Sequence, residues 1–116
     1  MASPYLERLS NAVGQATTGA RGNPKPECKH FFSGAALYVN GMICASLTPA
    51  GFAVKLPDEE RAALLKARRA RRLRYFRNGP VKKEYVVLSR AIVENPIALK
   101  RWLTMSIDYV RGSPSA

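Results

Sequence analysis

Between His30 and Leu56 the apolar positions fall into short runs separated by two turn signals. The first signal is Asn40-Gly41. Both residues tolerate positive φ, which a two-residue type I′ hairpin requires. The second is Thr48-Pro49-Ala50-Gly51, ahead of Phe52 to Leu56. The pattern predicts three consecutive strands. In the hairpin, Val39 should face Met42 and Leu37 should face Cys44. Tyr38 and Ile43 should pair on the other side of the sheet, with Ala36 and Ala45 beside them. Both faces then carry apolar side chains, so the second face calls for more cover than one helix layer.

The flanking segments change period. Ser3-Pro4 offers a hydroxyl cap and a first-turn proline. Tyr5, Leu6, Leu9, Ala12, Val13 and Ala16 then follow helical spacing. Residues 17–29, with Gly22, Pro24 and Pro26, read as a loop. Asp58-Glu59-Glu60 starts a second helix, with acids at its first turn and Lys/Arg at its end, as the helix dipole favours. Leu73 to Phe76 reads as a strand, Asn78-Gly79-Pro80 as a turn, and Glu84 to Leu88 as another strand. Ser89 to Glu94 forms a short helical turn. Asn95-Pro96 then caps a last helix to about Val110. At about 100° per residue, Leu99, Trp102, Leu103, Ser106, Ile107 and Val110 share one face. Ala98, Met105 and Tyr109 widen it on one shoulder. Trp102 is expected to be largely buried against the sheet, and residues 112–116 to be a flexible tail. The order α-β-β-β-α-β-β-α implies an α+β two-layer sandwich. Its antiparallel sheet has five strands, in one domain over residues 1–116.

Composition narrows the class. A chain of 116 residues suits one domain and buries roughly two-thirds of its unfolded surface. Two cysteines are too few for a disulfide framework or a zinc set. Cys44 lies in an apolar strand and should be buried. Cys28 follows a Pro-rich loop and should be exposed. No segment approaches the roughly 20 apolar residues of a membrane span. The first residues, with Glu7 and Arg8, do not have the shape of a secretory signal. A cytoplasmic, soluble protein is expected. The net charge of +11 favours polyanionic partners.

The helix with Tyr5-Leu6-Glu7-Arg8-Leu9, the run Phe32-Ser33-Gly34-Ala35-Ala36-Leu37-Tyr38-Val39-Asn40-Gly41 and the segment Phe52-Ala53-Val54-Lys55-Leu56 recur in a known order and spacing. So do Leu73-Arg74-Tyr75-Phe76, Lys82-Lys83-Glu84-Tyr85-Val86-Val87-Leu88 and the closing Trp102 helix. Together they resemble the amino-terminal domain of the TfoX/Sxy family over almost the whole chain. The resemblance implies a fold like that of type III secretion chaperones. It also implies a regulatory role in natural competence, exercised with the catabolite activator protein at certain promoters. Named members carry a second, carboxy-terminal domain. This chain ends soon after the last helix, so a stand-alone amino-terminal domain is expected.

Candidate chemistry is sparse. Lys66, Arg68, Arg69, Arg71, Arg72, Arg74, Arg77, Lys82 and Lys83 form a basic segment that can neutralise phosphates. The interleaved Tyr75 and Phe76 can stack on bases. The same pattern also describes a solvated helix end followed by a strand with core-facing aromatics. His30 has no neighbouring carboxylate or second metal ligand, so it reads as a plain strand residue. Walker, dinucleotide, nucleophile-elbow and zinc-protease motifs are missing. The acids show no metal-binding spacing. The expectation is a non-enzymatic interaction or regulatory module with no cofactor or metal. It would act by protein binding and dimerise through Ala98, Met105 and Tyr109. The alternatives are non-specific nucleic-acid binding through residues 66–83 and, more distantly, an enzyme of unknown class.

Overall fold

The computed structural model describes residues 3–17, 27–31, 34–74 and 79–112. In chain order they form α1 (Ser3–Thr17), β1 (Glu27–Phe31), β2 (Gly34–Val39), β3 (Met42–Thr48), β4 (Gly51–Lys55), α2 (Asp58–Lys66), β5 (Ala70–Leu73), β6 (Lys82–Leu88), α3 (Arg90–Val93) and α4 (Pro96–Gly112). All strand pairings are antiparallel. The α+β class therefore holds, but the sheet has six strands rather than five, in the order β1-β2-β3-β4-β6-β5.

The extra strand is β1, which occupies part of the segment read as a loop. Glu27, Cys28 and Lys29 pair with Tyr38, Leu37 and Ala36. Three of its five residues are exposed, so no apolar alternation marks it. Pairing with the free side of β2 makes it a strand. Thr17 closes α1, and residues 18–26 of the expected loop lie outside the described residues. Gly112 ends α4, and 113–116 of the expected tail likewise lie outside. β5 begins at Ala70, earlier than expected, and ends at Leu73. Tyr75, Phe76 and Arg77, which the sequence reading placed in that strand and its basic run, lie outside the described residues. Both sheet edges are polar: β1 carries Glu27 and Lys29, and β5 carries Arg71 and Arg72. Charge on an edge strand discourages pairing with another chain.

The β2–β3 turn has the expected form, with φ of 57° at Asn40 and 77° at Gly41. Val39 faces Met42 and Tyr38 faces Ile43. Beyond that the expected register fails. Leu37 meets Ala45 rather than Cys44, and Ala36 meets Ser46. Cys44 is an extra residue on β3, a β-bulge that shifts the ladder by one. Carbonyls at the bulge find partners from both sides. Ser106 Oγ on α4 donates to the Cys44 carbonyl at 2.8 Å. Tyr85 Oη on β6 donates to the Ile43 carbonyl at 3.2 Å.

Short-range caps set the later helices. Ser89 Oγ accepts from the Ile92 amide at 3.4 Å at the start of α3. Asn95 Oδ1 accepts from the amides of Ile97 and Ala98 at 3.0 and 3.2 Å at the start of α4. At the end of α2, the Arg68 amide bonds the Leu65 carbonyl and the Arg69 amide bonds the Leu64 carbonyl. This is a Schellman stop, with Arg68 at φ 59° where glycine is usual.

All the helices bury residues in one cluster on one face of the sheet. Leu9 and Val13 come from α1, Leu64 from α2, Ile92 from α3, and Leu103, Ile107 and Val110 from α4. They meet Leu37, Leu47, Phe52, Val54 and Val86, among others. Trp102 packs part-buried at the margin of that cluster. The Arg101 guanidinium lies 5.6 Å from its ring centroid. Cys28 is also half-buried rather than exposed, because β1 turns it toward the helix layer. The other sheet face has its own small cluster of Ala53, Val87 and Leu73, with Tyr85 and Ala50 at its margin.

Candidate functional site

The basic segment is split by the strand it enters. Lys66, Arg68, Arg69, Arg71, Arg72, Arg74, Lys82 and Lys83 are all exposed, and Arg77 lies outside the described residues. On β5, however, successive side chains leave opposite faces of the sheet. Arg72 sits opposite Val86 of the helix-side cluster, whereas Arg71 sits opposite Val87 of the other cluster. Arg72, Lys82 and Lys83 line a recess beside α2 together with Arg61. Arg61 is bonded to the Asp58 carboxylate and to the Lys83 carbonyl. Arg68 and Arg71 instead open onto a larger cleft at the other end of β6. The segment is thus two basic regions rather than one stripe.

That larger cleft has a volume of about 650 Å³. It is bounded by α1, the β3–β4 turn, the start of β5, the end of β6 and α3. Arg8 of α1 and Arg90 of α3 join Arg68 and Arg71 in its lining, and Glu94 is the one carboxylate there among the described residues. Arg71 Nη2 donates to the Ala50 carbonyl at 2.8 Å, which ties β5 to the β3–β4 turn. Arg90 Nε donates to Glu94 Oε2 at 2.7 Å. Among the described residues, the Arg8 and Arg68 side chains make no hydrogen bond or ion pair. The sequence reading missed Arg8 and Arg90 as site residues. They lie far apart along the chain, and only the packing of α1 and α3 at this end of the sheet joins them.

The α4 shoulder forms a separate surface. Ala98, Met105 and Tyr109 are half-buried, each packed against the helix-side core. Met105 and Tyr109 line a shallow recess with Pro57, Arg101, Thr104 and Asp108. Ile97, one turn before Arg101, is 82% exposed.

The model of the TfoX N-terminal domain matches residues 22–110. The chain belongs to the TfoX N-terminal domain family. No curated protein and no solved structure matches it. The TfoX N-terminal match takes in the basic segment, Arg90 and the α4 shoulder, while Arg8 precedes it.

Within this TfoX domain the other reactive groups are quiet. Burial pushes the Cys44 thiol up to about 12, against a smaller opposing effect of its contact with Ser106. It is therefore protonated at neutral pH and a poor nucleophile. Burial also raises the Cys28 thiol, opposed by a hydrogen bond with Ser10. His30 is exposed on β1, opposite Ala35. Among the described residues, no group of three His, Cys, Asp or Glu side chains can hold a metal ion. No helix among them is long and apolar enough to cross a membrane.

Proposed function

We propose that this TfoX-type domain is a non-enzymatic regulatory module of the cytoplasm that acts by protein binding and dimerisation, in competence or transcription control. Family membership supports the regulatory setting. The observation that carries the binding mode is the α4 shoulder. Met105 and Tyr109 are only part-buried there, and Ile97, a large aliphatic side chain on the same helix, is 82% exposed. An apolar group left this open is an economical place for a second chain to bury surface. In sedimentation at micromolar concentration the wild type should run as a dimer. Met105→Glu and Ile97→Glu should both shift it toward monomer, because each places a charge in the contact. Ile97→Glu separates assembly from folding, since the site is too exposed to matter to the core. A wild type that is monomeric at every concentration tested would end the dimer reading.

A second reading is favoured by the exposed basic side chains on both sides of β5. There the domain binds nucleic acid through the phosphate backbone, with little sequence preference. Replacing Arg69, Arg72, Arg74 and Lys83 by Ser leaves the Arg71–Ala50 bond intact. It should flatten the slope of log affinity against log salt by up to about 3–4 units, if each side chain makes one phosphate contact. Fluorescence anisotropy with a labelled duplex and a labelled single strand reads this. Absence of binding to either at low salt would discard it.

A further inference from the structure

We infer that the cleft lined by Arg8, Arg68, Arg71 and Arg90 is a binding site for a small organic phosphate of nucleotide size. The inference needs neither the dimer nor the nucleic-acid reading. It rests on three features of the cleft.

The first is charge. Arg8, Arg68, Arg71 and Arg90 line the cleft from four separate elements: α1, the α2–β5 connection, β5 and α3. Cationic residues around one concavity give it a positive potential that attracts an anion. Among the described residues, Glu94 is the only carboxylate in the lining, and Arg90 already holds it. The guanidinium fork matches phosphate oxygens in pairs, which a lysine cannot do.

The second is shape. A volume of about 650 Å³ falls within the range of small-molecule sites. Leu47, Phe52, Leu88 and Tyr5 add apolar side chains to the lining beside the arginines. A bare inorganic ion or a nucleic-acid backbone would use the arginines and leave the apolar lining unused. A ligand with a flat or apolar body and a phosphate uses both.

The third is Arg68. Its backbone is held at φ 59°, where a side chain is unfavourable and glycine would fit without strain. The Schellman stop of α2 needs the left-handed geometry but gains nothing from the side chain. A strained arginine in the lining of a cationic cleft, its side chain unpaired among the described residues, is explained by an anion bound there.

The test is calorimetric titration of the full chain with AMP, ATP and inorganic phosphate, at low and physiological salt, with thermal melts alongside. AMP or ATP should bind saturably at one site per chain, at least about tenfold more tightly than inorganic phosphate. Arg8→Gln and Arg90→Gln should each weaken nucleotide binding by about tenfold, the usual scale for one charge-assisted hydrogen bond. Arg72→Gln, outside the cleft, should leave it unchanged. Arg68→Gly should raise the melting temperature yet weaken binding, which a purely structural role would not do. The inference is overturned if no nucleotide binds saturably at low salt. It also fails if phosphate alone binds as well as AMP, or if Arg72→Gln is as damaging as Arg8→Gln. Equal competition by a DNA duplex at the same residues would overturn it in favour of backbone binding.

Discussion

Gly34→Ala should lower the stability of this domain by about 3 kcal/mol or more, close to the upper range for overpacking. A Cβ at this position would lie 2.1 Å from the Leu47 carbonyl oxygen and 2.8 Å from the Thr48 Cα. Both are backbone atoms in the middle of the sheet, so no side-chain rotation can relieve the contact. Either β2 and β3 separate where Ala35 faces Leu47, or the Phe31–Gly34 pairing at the end of β1 is lost. Since a domain of this size has only some 5–15 kcal/mol in hand, such a loss shows clearly in chemical denaturation. Gly14→Ala is the internal control. Nothing lies within 4 Å of its added methyl, on the exposed side of α1. It should stabilise by about 0.5–1 kcal/mol, because alanine has the better helix propensity. Equal denaturation midpoints for the two variants would refute the close approach of β2 to β3.

Ser106→Val should be comparably severe, at about 2–6 kcal/mol, for two separable reasons. Ser106 is fully buried, and its hydroxyl donates to the carbonyl of Cys44, the bulge residue of β3. Removing the donor leaves a buried acceptor without that bond, at a cost of about 1–3 kcal/mol. The larger side chain must also fit where α4 touches the strand, at a further cost of about 1–3 kcal/mol. Ser106→Ala carries the first cost without the second, so the difference between the two variants in urea melts measures the packing part. If Ser106→Ala matches wild type, the hydroxyl contributes nothing to holding the bulge. Cys44 offers a second readout of the same contact. Its protonated, buried thiol should resist alkylation in wild type, and the bulge should open more often in Ser106→Val and admit the reagent.

The resemblance of the chain to the TfoX N-terminal domain was visible in its residues, and so were the elements whose signals are local. Asn40-Gly41 specifies its own turn through backbone freedom. Ser89 and Asn95 cap helices within two or three residues of themselves. The 3.6 period of α4 picks out Leu103, Ser106, Ile107 and Val110 as the buried face without reference to anything else. The α4 shoulder was legible for the same reason. What the sequence could not decide was set by distant partners. β1 and β5 are polar edge strands, made strands by the free edges of β2 and β6 rather than by their own side chains. The bulge at Cys44 displaces one side of the hairpin from the register its turn would give, and two residues far along the chain, Tyr85 and Ser106, bond its carbonyls. The run from Lys66 to Lys83 looked continuous because a sequence has one dimension. Strand alternation sends Arg71 and Arg72 to opposite faces, and the packing of α1 and α3 brings Arg8 and Arg90 to Arg68 and Arg71. Turns, caps and helix faces depend on interactions within a few residues, so the sequence alone determined them. Edge strands, register and the arginine cleft depend on contacts between remote segments, so only the tertiary structure decided them.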